Sequence, residues 1–218
     1  MATQYKLFLS SRFLLVILVL LTGLLPRPAA AWSGGDVPSF DDFVASVANG
    51  KSADWRGIYV PGVLAEEIVA QPANDPTFIS SDPNTATVFR MASKHGSTGL
   101  LAHNTLAGQD FYLLEVGQMI YLINGDGKLQ EFVITELLRY QALEPQSITS
   151  DFVDLQTGEK VSASVLFLRI FDRPGDLILQ TCIYADGDNS WGRLFVIAEP
   201  FAKPDVWSMP KITMSRTY

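Results

Sequence analysis

Residues 177–198, LILQTCIYADGDNSWGRLFVIA, contain two runs of β-favouring side chains joined by a polar loop. The first run ends at Cys182, the only cysteine in the 218-residue chain, and the second, Leu194 to Ala198, is entered directly from Arg193. A single cysteine cannot form an internal disulfide, so the fold must be held by its apolar core. A hydrophobic content of 48% with only 18% charged residues is enough for such a core and argues against disorder. The length allows one domain of ordinary size.

The rest of the chain points to strands. Gly57 to Gly62 is a short apolar run ending in a turn, suited to an outer strand. Gln71 to Asn84 is rich in Pro, Asn and Ser and is expected to be loop, with Thr87–Ala92 as the next strand. Lys94 to Gly99 leads into Leu100-Leu101-Ala102-His103. The centre has the clearest β signal. Phe111–Leu114 reads as a strand preceding Gly117, Gln118–Ile123 forms another strand, and Asn124-Gly125-Asp126-Gly127 turns it into a hairpin with Leu129–Tyr140. Short Gly-punctuated strands around a hairpin favour an all-β fold, a closed or nearly closed barrel, over a βαβ sheet. Helix is confined to a short segment after Ser39. There Phe40, Phe43, Val44 and Val47 share a face, Ser39 can cap the amides, and Asp41 and Asp42 suit the positive dipole end. Residues 164–167 read equally as helical turn or strand.

The first 31 residues have the three parts of an export signal. Lys6 and Arg12 precede the apolar run Phe13–Leu25, and Ala29-Ala30-Ala31 supplies small residues for cleavage. At about 1.5 Å per residue the run reaches about 20 Å, short of a hydrocarbon core of about 30 Å. Cleavage near Ala31 is therefore expected over retention as an anchor, which places the protein outside the cell or in the envelope. Residues 32–54 then form the helix and a linker, 55–200 the barrel, and 201–218 a C-terminal extension lying along it. Losing Lys6, Arg12 and Arg27 with no acid makes the remainder more acidic than the whole-chain −7. Such a surface is a poor partner for nucleic acid or anionic lipid.

A thiol does acyl chemistry as thiolate, and a free cysteine pKa near ~8.5 leaves only a few per cent ionised at neutral pH. It needs a proton acceptor and a nearby positive charge. The chain has two histidines. His103 lies in the tight segment GLLAHNTLAG, whereas His95 lies in a Gly- and Ser-rich stretch expected to be an exposed loop. Arg193 is permanently charged and could serve the thiol, or could pair with Asp186 or Asp188 across the loop. Two histidines and one cysteine at these separations match no zinc spacing, and Asp186–Asn189 lacks the rest of a calcium loop. No glycine-rich phosphate loop occurs, so neither a metal nor a small-molecule cofactor is expected.

Between about Trp55 and Pro200 the chain resembles the sortase family of cysteine transpeptidases. In that family a histidine comes first, then a TLxTC strand end, then an arginine opening the next strand. Here Ile178-Leu179-Gln180-Thr181-Cys182 keeps Leu179, Thr181 and Cys182, with Ile178 in place of the leading Thr. His103 precedes the cysteine and Arg193 follows it. The resemblance implies that Cys182 forms a thioester acyl-enzyme with a peptide sorting motif. His103 would act as general acid, and Arg193 would steady the oxyanion. The acyl group would pass to an amine or to water. Thr181, Asn104 and Trp191, flanking the three, would contact the substrate, and the enzyme would work as a monomer. A cleaved leader departs from the family habit of membrane retention. The alternative from another class is a non-catalytic exported barrel that binds a peptide or envelope component in the same groove.

Overall fold

In the computed structural model, which describes residues 37–201, ten strands form one sheet that closes on itself. The expected leader and most of the C-terminal extension lie outside these residues. The strands are β1 (Trp55–Val60), β2 (Leu64–Ala70), β3 (Thr85–Phe89), β4 (Thr98–Leu101) and β5 (Met119–Asn124). They continue with β6 (Leu129–Ala142), β7 (Phe152–Asp154), β8 (Lys160–Val161), β9 (Leu177–Ala185) and β10 (Asp188–Pro200). Their order is β10-β9-β4-β3-β2-β1-β5-β6, and a β10–β6 pairing shuts the ring into an eight-stranded barrel with β7 and β8 hung from β6. The fold expected from sequence, an all-β closed barrel with few helical turns, is the fold observed.

The two longest strands make the closure. β6 has 14 residues and β10 has 13, enough for each to pair on both sides. A bulge between Ile197 and Ala198 bends β10 along β6. Inside the ring, Ile58, Leu100, Leu122, Ile134, Leu179 and Val196 have no exposed surface. Each such side chain contributes roughly 1.5–3 kcal/mol on burial.

Two helices cover the outside. α1 (Phe40–Val47) is the expected N-terminal helix, with the Ser39 hydroxyl accepting from the Asp42 amide at 3.3 Å. It buries Phe43 and Val47 beside Tyr59 and Ile123. Gly57 is required there, since a Cβ would come within 2.9 Å of Phe43 Cε1. The ambiguous segment at 164–167 is helical. α3 (Ala163–Phe171) is capped by the Ser162 hydroxyl and lays Leu166, Ile170 and Phe171 on Ile178, Phe195 and Ile197 of the outer sheet face. Between them, α2 (Arg90–Ser93) takes over where Thr87–Ala92 was expected to stay extended.

Two other expectations are corrected. β1 is not an outer strand, because β2 pairs with it on the side away from β5. The adjacent acids Glu66 and Glu67 hide β2 from a hydropathy reading. Residues 107–113 form a 3-10 helix rather than a strand containing Phe111–Leu114. Phe111 and Leu114, three apart, both turn into the barrel core, a spacing that suits a turn of this helix.

Glu66 follows the β2 alternation into that core, between Leu64 and Ile68, and is 1% exposed. Neither carboxyl oxygen has a hydrogen-bond partner. Burial first, then the charge of Asp110 on the 3-10 helix, raises its pKa well above the ordinary carboxylate range. Burial also raises Asp110. Arg56 on β1 donates from Nη1 to the Ile68 carbonyl at 3.4 Å and makes no ion pair with Glu66. The folded state thus holds the Glu66 proton more tightly than the unfolded chain. The associated stability is present below the unfolded carboxyl pKa of about 4.3 and drains as pH rises through the folded value. We expect the unfolding free energy to fall as pH rises above the unfolded carboxyl value toward the folded one. Glu66→Gln should remove most of that slope in urea titrations, and an equally steep slope in the variant would reject the assignment.

Candidate active site

The site is set by the register of β4, β9 and β10. β9 runs parallel to β4, with Leu101 opposite Gln180, and the Ala102 amide donates to the Gln180 carbonyl at 3.1 Å. The ladder ends there, and His103 lies two residues past the end of β4, in the loop that follows. Across the other edge of β9, Arg193 of β10 is the direct partner of Cys182. Strand alternation puts Leu179 and Thr181 inward, and Ile178, Gln180 and Cys182 on the outer face. Cys182 and Arg193 are therefore neighbours on the outside of the barrel, and His103 follows just past the end of β4, the strand on the other edge of β9. Since the backbone groups of residue 180, and so of 182, point to β4, the Cys182–Arg193 pair is of the non-hydrogen-bonded kind. In such pairs Cα atoms lie about 4.5 Å apart and side chains approach most closely.

Cys182 is not at a loop edge, as the sequence implied. β9 continues to Ala185, and the loop is only Asp186-Gly187, both with positive φ, a tight hairpin turn. The β9–β10 register shifts between Asp188 and Gly192, so Asn189, Ser190 and Trp191 bow out of the ladder. This bow is tied back to the histidine segment, because Asn104 Nδ2 donates to the Asn189 carbonyl at 3.0 Å. Arg193 Nη1 donates to the Ser190 and Gly192 carbonyls, both at 2.8 Å. Its guanidinium thus anchors the bow and leaves the Nε and Nη2 hydrogens for other partners. Among the described residues it makes no ion pair, with Asp186 and Asp188 included.

Past the end of β4, the His103 carbonyl accepts from the Leu106 and Gly108 amides at 2.9 and 3.0 Å. The chain winds so closely onto β9 here that a Cβ on Gly108 would come within 2.7 Å of that carbonyl and would overlap the Thr181 hydroxyl. Thr181 is 1% exposed and donates to the Ala102 carbonyl at 3.0 Å. It is a rivet between β4 and β9, not the substrate contact expected, because alternation turns it into the core. Asn104 is likewise engaged as a loop tie. Trp191 is half-buried in the bow. His95, expected in an exposed loop, is half-buried edge-on to Phe167, with Nδ1 3.7 Å from Asp172.

A groove opens on the same outer face. A cavity of about 220 Å³ is lined by Phe89, Phe152, Phe167, Phe171 and Phe195, with Gln180 and Arg193 as its polar groups. Sequence reading missed it because its walls come from α3 and the segment around Ile148, which carry no motif. Tyr112 was missed too. From the 3-10 helix its hydroxyl donates to the Cys182 carbonyl at 2.6 Å. The only signal available in sequence was an aromatic pair eight and nine residues after a histidine. Among the described residues, no group of three His, Cys, Asp or Glu side chains is placed to hold a metal ion.

Several solved structures are similar to the chain at low identity. Sortase A of Listeria monocytogenes is 15% identical at a TM-score of 0.45, over 71% of this chain and 89% of that one. Sortase C1 of Streptococcus suis is 14% identical at 0.47, over 68% and 73%. The chain is similar in fold to sortases. Sortase E1 of Streptomyces coelicolor, solved with a tripeptide in its active site, is 19% identical at 0.43, over 75% and 97%. No protein-family model and no curated protein matches the chain. At these values the likeness says nothing of activity.

Thr181→Val should cost about 1–2 kcal/mol of stability by orphaning a buried carbonyl. It should leave any peptide KM within twofold. A raised KM at unchanged stability would restore Thr181 to substrate binding.

Proposed function

We propose that the chain is an exported cysteine transpeptidase or hydrolase of sortase type acting on a peptide bond. The observation that supports this reading is the direct pairing of Cys182 with Arg193 across β9 and β10, with His103 just past the end of β4 on the other edge of β9. In the proposed reaction the Cys182 thiolate attacks a substrate carbonyl and a tetrahedral oxyanion forms. The remaining Arg193 hydrogens, on Nε and Nη2, are the donors for that oxyanion. His103, as imidazolium, gives its proton to the departing amine and leaves a thioester on Cys182. An incoming amine or water then loses a proton to His103 as it displaces the thiol.

The phenylalanine-lined groove beside Arg193 supports peptide binding, since it offers apolar area next to two polar groups that can orient a backbone. The leader expected at residues 1–31 supports a site of action outside the cell or in the envelope. A lone, half-buried thiol is compatible with that compartment.

Cleavage of a peptide library followed by mass spectrometry tests the reading. Wild type should yield cleaved or amine-ligated products and a thioester adduct, and Cys182→Ala should yield none. Arg193→Lys should lose activity by at least tenfold despite equal charge, because an ammonium cannot reproduce the guanidinium fork that spans the bow and the oxyanion. Near-normal turnover in that variant would remove Arg193 from the mechanism.

A further inference from the structure

We infer that Tyr112 is a positioning residue for Cys182, holding the nucleophile's own carbonyl so that the thiol stays in place beside Arg193. This deepens the cysteine-enzyme reading and rests on it for its meaning, but its geometry is independent of any substrate.

β4 is the neighbour that satisfies the backbone groups of even-numbered β9 residues on that edge, as the Ala102 amide does for the Gln180 carbonyl. It ends at Leu101, and the chain swings away at His103. The next carbonyl on that edge belongs to Cys182, beyond the last ladder bond. An uncompensated carbonyl there would leave the nucleophile's peptide unit free to tilt. The Tyr112 hydroxyl takes the missing place at 2.6 Å, a short bond.

The phenol reaches this point because of how the histidine segment is wound. The turn at His103 and the close seat of Gly108 on Thr181 fix the start of the 3-10 helix, and buried Phe111 fixes its middle. Tyr112, next along, is carried to the barrel rim, where it is 38% exposed. The charged or titratable groups facing it are the Cys182 thiol on β9 and Arg139 on β6. Burial and the thiol raise its pKa, while Arg139 opposes them, so it stays a neutral donor through the physiological range. One helix thus links the proton carrier and the nucleophile: its lead-in bears His103, and its far end grips Cys182.

The bond also acts on the sulfur. A carbonyl oxygen carries partial negative charge close to its own side chain, and a donor on that oxygen reduces the field felt by a thiolate. Removing the donor should disfavour the thiolate and slow its reactions.

The test is Tyr112→Phe, which keeps the ring and deletes the hydroxyl. Iodoacetamide labelling of Cys182 in the folded full chain needs no substrate. The variant should label at least fivefold more slowly at pH 7, with the midpoint of its pH–rate curve moved upward and its unfolding temperature within about 3 °C of wild type. On any peptide found to turn over, kcat should drop about tenfold with KM within twofold. Equal labelling rates and an unmoved pH curve would overturn the inference, as would a change confined to KM. If wild type turns over no peptide while the labelling difference appears, the enzyme reading fails and the Tyr112 contact stands.

Discussion

Everything distinctive about this molecule depends on β9 being held from both sides in fixed register. On one edge it runs parallel to β4, and on the other antiparallel to β10, which β6 in turn grips to close the ring. A slip of one residue in either pairing would turn Cys182 into the core and Thr181 out to solvent. The interior opposes such a slip, because Leu177, Leu179 and Thr181 share the face of β9 that is buried in the observed register. Core packing and the placement of the candidate nucleophile are therefore one constraint.

Around that constraint the loops are braced rather than free. Asn104 ties the histidine segment to the bow of β10, Arg193 ties the bow to itself, and Tyr112 ties the 3-10 helix to β9. Each is a polar bond at the rim of an apolar barrel, where individual bonds contribute about 0.5–1.5 kcal/mol but restrict geometry strongly. On the other side, α3 raises an aromatic wall over the outer sheet and turns a flat face into a groove. The barrel supplies rigidity, and short irregular segments supply shape.

How much of this was legible in the sequence varies by element. The Asn-Gly-Asp-Gly hairpin, the Ser39-capped helix and the β runs around Cys182 were legible because turn chemistry and periodicity are local. β2 was hidden by its paired glutamates, one of which is buried in the core against expectation. The 3-10 helix was mistaken for a strand, since an apolar tetrad reads alike in both until its packing is known. Among the candidate site residues, order along the chain pointed to His103, Cys182 and Arg193. Thr181 was misassigned because a motif does not say which face a residue takes. Tyr112 could not be found at all, since its partner is a main-chain oxygen 70 residues away.

The parallel pairing of β4 with β9 joins segments 79 residues apart, measured from Ala102 to Thr181. Contacts of such long range form late, after the loop entropy of the intervening chain has been overcome. Until β9 docks, the imidazole and the sulfur belong to separate pieces of an incomplete sheet. A newly made chain therefore brings these two distant segments together only when the last strands pair.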